Sequence, residues 1–448
     1  MFDKILIANR GEIAFRIVRA CREMGIKTVG IFSDVDRELL HLRFVDQKVS
    51  LGGDKADETY LDIEKIIKVC HLTHPAAVHP GYGFLAENFL LARRLEAEGI
   101  TFIGPQAEIL EKMKNKLFTK KVVQEAGIPV IPGSLTPITD LSEAKTVARE
   151  VGYPLAVKAC LGGGGRGIRV VERAEGLEEA FLRAKREAAL AFGSDEVYIE
   201  KLLGRARHIE VQILADKFGK VVHLGERECS LQRRRQKILE EAPAPTLDRE
   251  VRNKILQAAV AATQALGYST CGTLEFLVTE EGKYYFMEFN ARIQVEHPVT
   301  EMITGVDIVR EQISLAAGEP LSLKQEDIII RGHAIEMRVN AENPDKNFAP
   351  SPGKISKFDL PRGPGVRVDS HCYSGYTVPS YYDSLVAKVV VWDSDRKFAI
   401  RRARETLQSM EVSGIHTTIP FQMKILQNPE FMEGSFHTRF IEEDFLPD

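Results

Sequence analysis

Between residues 288 and 296 the chain reads EFNARIQVE, and every second residue is polar: Glu288, Asn290, Arg292, Gln294 and Glu296. Those in between, Phe289, Ala291, Ile293 and Val295, are apolar. On an extended backbone the two sets point to opposite faces. A half-buried strand with its polar face in water has the same alternation. Solvated faces, however, favour Thr, Lys and Tyr, while Asn and Glu are poor strand formers. A row of carboxylates, amides and a guanidinium suits a charged ligand better.

Just upstream, residues 272–278 (GTLEFLV) and 283–289 (KYYFMEF) are strand-like runs separated by TEEG, which predicts a hairpin. With an even loop, Glu275 lies opposite Phe286 and diagonal to Glu288 on the same face; one residue more or less flips that parity. Two carboxylates and Asn290 gathered on a half-buried sheet need compensation. Their all-oxygen chemistry fits magnesium carried by a nucleotide, rather than zinc or copper. Arginines alone are the alternative source of positive charge.

These groups need elements to position them. KILIAN, GEIAFRIVRACREMG and KTVGIFS read as strand, helix and strand, and the alternation continues through PAAVHP and NFLLARRLEAEGITFIG, so residues 1 to about 105 form a parallel α/β domain of Rossmann type. Asp34 stands where a ribose-binding acid would be, but the first turn, ANRGEIA, has one glycine and lacks the G-x-G-x-x-G that lets a backbone approach a pyrophosphate. PVIPGSLTPITD marks a boundary near residues 129–140. After it, a strand with Lys158, the run GGGGRG and the strand IRVV form a glycine-rich hairpin able to fold over phosphates, where side chains would hold the amides away. A flexible linker is the competing reading of four glycines. Further strands (VYIEKLL, HIEVQILAD, KVVHLGERE), a long helix over 249–267, the strands IIIRGHAIEMRVNAEN and SYYDSLVAKVVVW and a helix RKFAIRRARETLQSM complete an α/β, in parts α+β, chain.

Composition excludes several classes. At 448 residues, 28% charged and 44% hydrophobic, the chain is an ordinary globular protein of two to four domains. A net charge of -4 offers no general attraction to nucleic acid or an anionic membrane, and the basic run 233–235 is short and followed by Glu240 and Glu241. Charges at residues 3, 4, 10 and 12 preclude a signal-peptide core, so a cytoplasmic location is expected. The six cysteines are widely spaced without CxxC, which predicts buried thiols. His71, His74 and His79 have a faint metal-like spacing that Pro75 breaks.

Taken together, ANRGEIA, HPGYGFLAEN, KACLGGGGRGIRVV, ERECSLQRRRQK, EFNARIQVEHPVTEMITGVD, RGHAIEMRVNAE and PSYYDSL resemble the motifs of biotin carboxylases of the ATP-grasp superfamily, in family order and spacing from residue 2 to about 445. The resemblance implies a Rossmann-like N-terminal domain over 1–115, an ATP-grasp domain over 116–317 with a lid at about 132–203, and a C-terminal domain over 318–448. It also implies an ATP-dependent ligase that carboxylates biotin through carboxyphosphate, with ATP and magnesium or manganese as cofactors. Lys116, Lys158, Gly164 and Gly165 match phosphate-binding positions; Glu200, Lys201 and Leu203 match the adenine hinge; His208 and Gln232 match further nucleotide contacts. Glu275, Glu288 and Asn290 match the metal ligands. Lys237, Arg292, Gln294 and Val295 resemble the bicarbonate pocket, Glu296 the general base, Arg338 the residue stabilising the biotin enolate, and Tyr82 an aromatic at the biotin end.

Partners follow from the same resemblance: a second copy of the chain, a biotin carboxyl carrier protein and carboxyltransferase subunits. Arg16, Arg19 and Glu23 keep the family's dimer pattern, while Pro364 stands where relatives often have Phe and Arg235 where they commonly have His. The acceptor is expected to be acetyl-CoA, as in fatty acid biosynthesis, with propionyl-CoA, pyruvate and 2-oxoacids as alternatives. EKMKNK at 111–116 is the one string similar to a biotin-attachment motif; it lacks the preceding alanine and sits in the helix-like run AEILEKMKNKLFTKKVV. Biotin is therefore expected on a separate carrier.

Overall fold

The computed structural model describes residues 1–161 and 168–446. Short aliphatic runs at the start form strands β1 (Lys4–Ile7), β2 (Lys27–Phe32), β3 (Gln47–Ser50), β4 (Ala77–His79) and β5 (Thr101–Phe102), interleaved with helices α1 (Gly11–Glu23), α2 (Ile63–Thr73) and α3 (Phe89–Ala97). The strands pair in parallel in the order 3-2-1-4-5, the α/β arrangement expected of this region. Ile13, Ala14, Ile17, Val18 and Cys21 recur at helical spacing and bury one side of α1 beneath Ile5 and Ile7.

The run expected as one helix is two, α4 (Ala107–Met113) and α5 (Lys116–Glu125). Asn115 breaks it: its backbone is extended and its side chain accepts hydrogen bonds from the amides of Leu117 and Phe118. Lys116 thereby becomes the first residue of a new helix. Next comes a small layered unit made of α6 (Leu141–Val151), β6 (Leu155–Ala159), β7 (Ile168–Val171), α7 (Leu177–Phe192) and β8 (Val197–Lys201). Its three antiparallel strands, in the order 7-6-8, pack Leu155, Val157 and Ile199 against Leu177, Phe181 and Ala184. Gly164 and Gly165, assigned to phosphate binding, lie outside the described residues.

Strands β9 (Ala206–Ala215), β10 (Val221–Arg233) and β11 (Gln236–Ala242), helix α8 (Arg249–Ala265), strands β12 (Thr270–Thr279) and β13 (Tyr284–Asn290), helices α9 (His297–Thr304) and α10 (Ile308–Ala316), and strand β14 (His333–Asn340) form the body. With strands Val366–Ser370 and Leu385–Asp393 they build an eight-stranded antiparallel sheet, ordered β13-β12-β9-β10-β11-β14, then Leu385–Asp393, then Val366–Ser370. Pairing in β14 begins at His333 rather than at the isoleucines before it, since Ile329 and Ile330 are exposed. On β9, Ile209, Val211 and Ile213 join the core that includes Ile255, Leu256, Ala259 and Ala262 of α8. The alternate residues His208, Glu210 and Gln212 are buried on the other face, and the site is built there. Helix α11 (Arg396–Ser409) covers the far end of the sheet.

All six cysteines are buried, free thiols. Among the described residues no helix is long and apolar enough to cross a membrane. His41 is fully buried and neither ring nitrogen has a hydrogen-bond partner. Burial pulls it down from 6.5 to about 4, against the attraction of Asp36. Because the unfolded chain binds this proton more tightly, the stability His41 contributes is complete above about pH 6.5 and is lost as pH falls toward 4. Lowering pH from 7 to 5 is expected to cost about 2 kcal/mol through this residue alone. In urea titrations at the two pH values, His41→Leu is expected to lose that part of the difference; an unchanged difference contradicts the assignment.

Candidate active site

Register across the large sheet lines up charges from distant parts of the chain. Glu288 on β13 stands opposite Glu275 on β12, Glu275 opposite Glu210 on β9, and Glu210 opposite Arg227 on β10. Directly opposed residues share a face, so three carboxylates and one guanidinium form a row across four strands. The Glu275 and Glu288 pairing corrects the sequence reading. The hairpin opens with Val278 opposite Tyr284, and the register then steps by one at Met287, so that Glu288, not Phe286, faces Glu275. The step is a β-bulge, and it returns both carboxylates to one face.

A second correction concerns the alternating run. β13 ends at Asn290, and residues 291–296 turn toward α9, with Pro298 in its first turn. Arg292, Gln294 and Glu296 reach the site from this connection, not from a strand face. Ile293, Gln294 and Glu296 are all buried, which an extended half-exposed strand does not permit.

Lys237 closes the row. Its ammonium is 2.5 Å from Glu210 Oε2, 3.1 Å from Glu275 Oε1 and 2.5 Å from Glu296 Oε1. The other oxygen of Glu296 accepts from Arg338 at 2.9 Å, and Arg338 also donates to Glu240 at 2.6 Å. Arg227, fully buried, donates to Glu210 at 2.6 Å and to Gln294 Oε1 at 3.1 Å, while Gln294 Nε2 donates to Glu275 at 2.9 Å. Burial pushes the Glu296 carboxyl up, but Lys237, Arg338 and Arg227 outweigh it and hold it well below the usual carboxylate range. The same competition, with Lys237 and His208 as the cations, keeps Glu275 ionised. Burial pulls Lys237 down, and Glu210, Glu275 and Glu296 bring it well above its ordinary value. Arg292 contacts Glu87 at 3.2 Å and donates to Asn290 Oδ1 at 3.1 Å.

These groups line a cavity of about 930 Å³ that runs from Lys116, Lys158, Lys201 and Leu203 past His208, Gln232, Glu275, Glu288 and Asn290 to Lys237, Arg292, Gln294, Val295, Glu296 and Arg338, and ends at Tyr82. Lys116 is 3.3 Å from Glu288. His208 lies 3.1 Å from Glu275 Oε2 on one side and takes Gln232 Nε2 at 2.7 Å on the other. Tyr82 donates its hydroxyl to Glu12. One expected hinge residue, Glu200, is absent from the cavity wall; its carboxylate is paired with Lys158 and with Lys120, the latter at 2.6 Å. Burial raises Glu200, yet the two lysines bring it down to about 2.

The oxygen donors fit a hard cation. Glu275 and Glu288 face each other, Asn290 donates to Glu275 at 2.9 Å, and lysine ammonium groups already supply the positive charge this cluster needs. The gathered clusters of potential ligands among the described residues are different ones, His208 with Glu210 and Glu275, and Glu210 with Cys229 and Glu296. The Lys237 ammonium bridges the carboxylates of both.

Sequence reasoning missed Glu210, Arg227, Glu240, Lys120 and Lys388. Lys388 is fully buried, 3.1 Å from Glu12 and 2.8 Å from the Val295 carbonyl, so it ties the loop that carries Glu296 to the Tyr82 end. A signal existed for two of them: Lys388 in LVAKVVVW and Glu210 in HIEVQILA are single charges in apolar strands.

Comparison with known proteins decides the family. Residues 1–110 match the family "Biotin carboxylase, N-terminal domain", 115–324 "Carbamoyl-phosphate synthase L chain, ATP binding domain" and 336–443 "Biotin carboxylase C-terminal domain". The biotin carboxylase of Nostoc sp. is 51% identical over 99% of both chains. The chain belongs to the biotin carboxylase family. As such it is an ATP-dependent ligase, and its α/β fold is that of biotin carboxylase structures. A crystal structure of the Hydrogenobacter thermophilus 2-oxoglutarate carboxylase biotin carboxylase domain dimer, with magnesium ADP, ADP and bicarbonate, superposes with a TM-score of 0.96 at 47% identity, covering 99% of this chain and 98% of that one. A pyruvate carboxylase polypeptide of Methanothermobacter thermautotrophicus is 49% identical over 99% of this chain and 90% of that protein. Biotin carboxylase relatives at this level of identity thus serve several carboxylases.

Proposed function

We propose that the chain catalyses ATP- and bicarbonate-dependent carboxylation of biotin held on a separate carrier protein, by way of carboxyphosphate. One observation carries the residue roles: Glu296 is gripped by Lys237 and Arg338 at once, in the wall of a cavity whose other end is lined by Lys116 and Lys158. Bicarbonate is a weak nucleophile. Glu296 takes its proton as the bicarbonate oxygen attacks the γ-phosphorus of ATP, giving ADP and carboxyphosphate. Lys237, Arg292, Gln294 and the Val295 backbone hold the anion, with Arg292 offering two parallel donors.

In the arrangement described above Glu296 is too strongly paired to be a good base. Bicarbonate draws Lys237 toward itself, which returns basicity to Glu296 when the anion is in place. Carboxyphosphate then divides into carbon dioxide and phosphate; phosphate removes the ureido proton of biotin, Arg338 stabilises the enolate, and the nitrogen attacks carbon dioxide. Glu275, Glu288 and Asn290 would hold magnesium, which when bound neutralises phosphate charge; manganese is the alternative ion. Lys116, Lys158, Gly164 and Gly165 serve the phosphates, Glu200, Lys201, Leu203, His208 and Gln232 the nucleoside, and Tyr82 the biotin end.

The domain limits follow the same reading: 1–115, 116–317 with its lid at about 132–203, and 318–448. A homodimer is part of the proposal, supported by the dimeric relative. Arg19 and Glu23 of the expected dimer set present exposed side chains, whereas Arg16 is buried against Glu301 and Asp307 of its own chain and holds α1 in place. The acceptor is assigned as acetyl-CoA, in the cytoplasm and in fatty acid biosynthesis, with pyruvate, propionyl-CoA or a 2-oxoacid decided by the carboxyltransferase partner. The test of the function is release of ADP that depends on both bicarbonate and biotinylated carrier; reconstitution with different carboxyltransferases tests the acceptor. ADP release indifferent to biotin and bicarbonate would refute the proposal.

A further expected result concerns the carrier. Lys112 and Lys114 of EKMKNK lie on α4 and at its C-terminal cap, in a helical turn rather than a hairpin. Protein purified from cells with a biotin ligase is expected to be silent on an avidin blot and to have its unmodified intact mass. A biotin-sized adduct on this polypeptide would show that it carries its own biotin.

A further inference from the structure

Glu200 is held by two lysines from different layers of the molecule. Lys158 comes from β6 in the small sheet, and Lys120 from α5, one helical turn after Lys116. Lys120 is 3% exposed and Glu200 2%, and the Lys120 ammonium also lies 5.6 Å from the Tyr198 ring centroid. Lys158 lines the cavity, whereas Glu200 and Lys120 do not. Lys158 therefore stands between the nucleotide space and the carboxylate behind it.

Resting on the reading of Lys158 as a phosphate ligand and Glu200 as a hinge residue, we infer that Lys120 is a positioning residue for adenine recognition: it keeps Glu200 ionised after ATP draws Lys158 away. A buried carboxylate that loses its only cation takes up a proton, since an unpaired charge in that setting costs several kcal/mol. Protonated Glu200 would offer a hydroxyl donor. Ionised Glu200 is an acceptor only, suited to the 6-amino group of adenine and unsuited to the 6-oxo group of hypoxanthine. Departure of Lys158 uncovers one oxygen, and Lys120 secures the charge on the other. ATP thus unlocks a recognition group that Lys158 otherwise covers.

The experiment compares ATP with inosine triphosphate, whose base has an oxygen in place of the amino group. Affinities are measured by calorimetry in magnesium buffer for the native chain, Lys120→Met and Lys120→Arg, with thermal unfolding to confirm that each is folded. The native chain is expected to prefer ATP, and Lys120→Met to lower the ATP-over-ITP ratio by at least about tenfold, as for loss of one hydrogen bond to a charged group. Lys120→Arg, which keeps the charge, is expected to restore most of the ratio. A merely structural role weakens both nucleotides equally, so an unchanged ratio in folded Lys120→Met overturns the inference. A native chain without preference overturns it together with the hinge role of Glu200. Because binding is read without turnover, a failure of biotin carboxylation would count against the proposed function and leave the Lys120 comparison intact.

Discussion

Glu296→Gln is expected to lower bicarbonate-dependent ATP cleavage by roughly 100- to 10,000-fold while leaving ATP affinity nearly intact. Glutamine keeps the shape of the side chain and removes the proton acceptor. The surroundings tolerate the change in charge: Lys237 retains Glu210 at 2.5 Å and Glu275 at 3.1 Å, and Arg338 retains Glu240 at 2.6 Å. Neither cation is left buried without a partner, so a folding defect is not expected. The loss belongs in kcat, because Glu296 is proposed to act on the bicarbonate proton as the bond to phosphorus forms. The measurement is steady-state ADP release together with nucleotide binding to the same preparation. Turnover above about a third of the native value would rule out Glu296 as the base.

The two arginines are expected to separate by reaction. Arg338→Ala should impair biotin carboxylation far more than biotin-independent ATP cleavage, because the charge it is proposed to meet exists only on the biotin enolate; Arg292→Ala should impair both, since it is proposed to hold bicarbonate. Losing a transition-state donor of this kind costs about 100- to 1,000-fold. Structure makes the comparison clean. Arg338 leaves behind Glu296, which keeps Lys237 at 2.5 Å, and Glu240, whose carboxyl burial already pushes up, so that Glu240 can take a proton rather than stay an unpaired charge. Arg292 leaves behind Glu87, a half-exposed carboxylate that water can solvate. Both variants are assayed for ADP release with and without biotin. Equal losses in both reactions for both variants would count against this division of labour.

The alternation of EFNARIQVE, the glycine-rich hairpin and the strand, helix, strand order of the first hundred residues are local patterns, and local patterns are legible because side-chain direction follows backbone period. They established the α/β class and, with the motifs, the family. They also put Glu275, Glu288 and Asn290 together before any fold was known. What they could not supply was the register. A one-residue step at Met287 sets Glu288 against Glu275, and nothing in the hairpin sequence marks where such a bulge falls.

Tertiary structure alone decided how the charge is balanced. Arg227, Glu210, Glu275 and Glu288 come from four strands spread over the sequence and meet only because those strands pair. Lys116, Lys120 and Lys121 look alike in KLFTKKVVQE, yet Lys120 is the one buried on Glu200 and Lys121 is exposed. The sequence by itself determined which charged and polar groups this protein offers for the proposed phosphate, metal and bicarbonate sites and roughly which faces they occupy, since those follow from residue type and local period. Which cation neutralises which carboxylate was left to the pairing of distant strands and the packing of α5 against the small sheet, because burial and charge compensation depend on neighbours that are far apart along the chain.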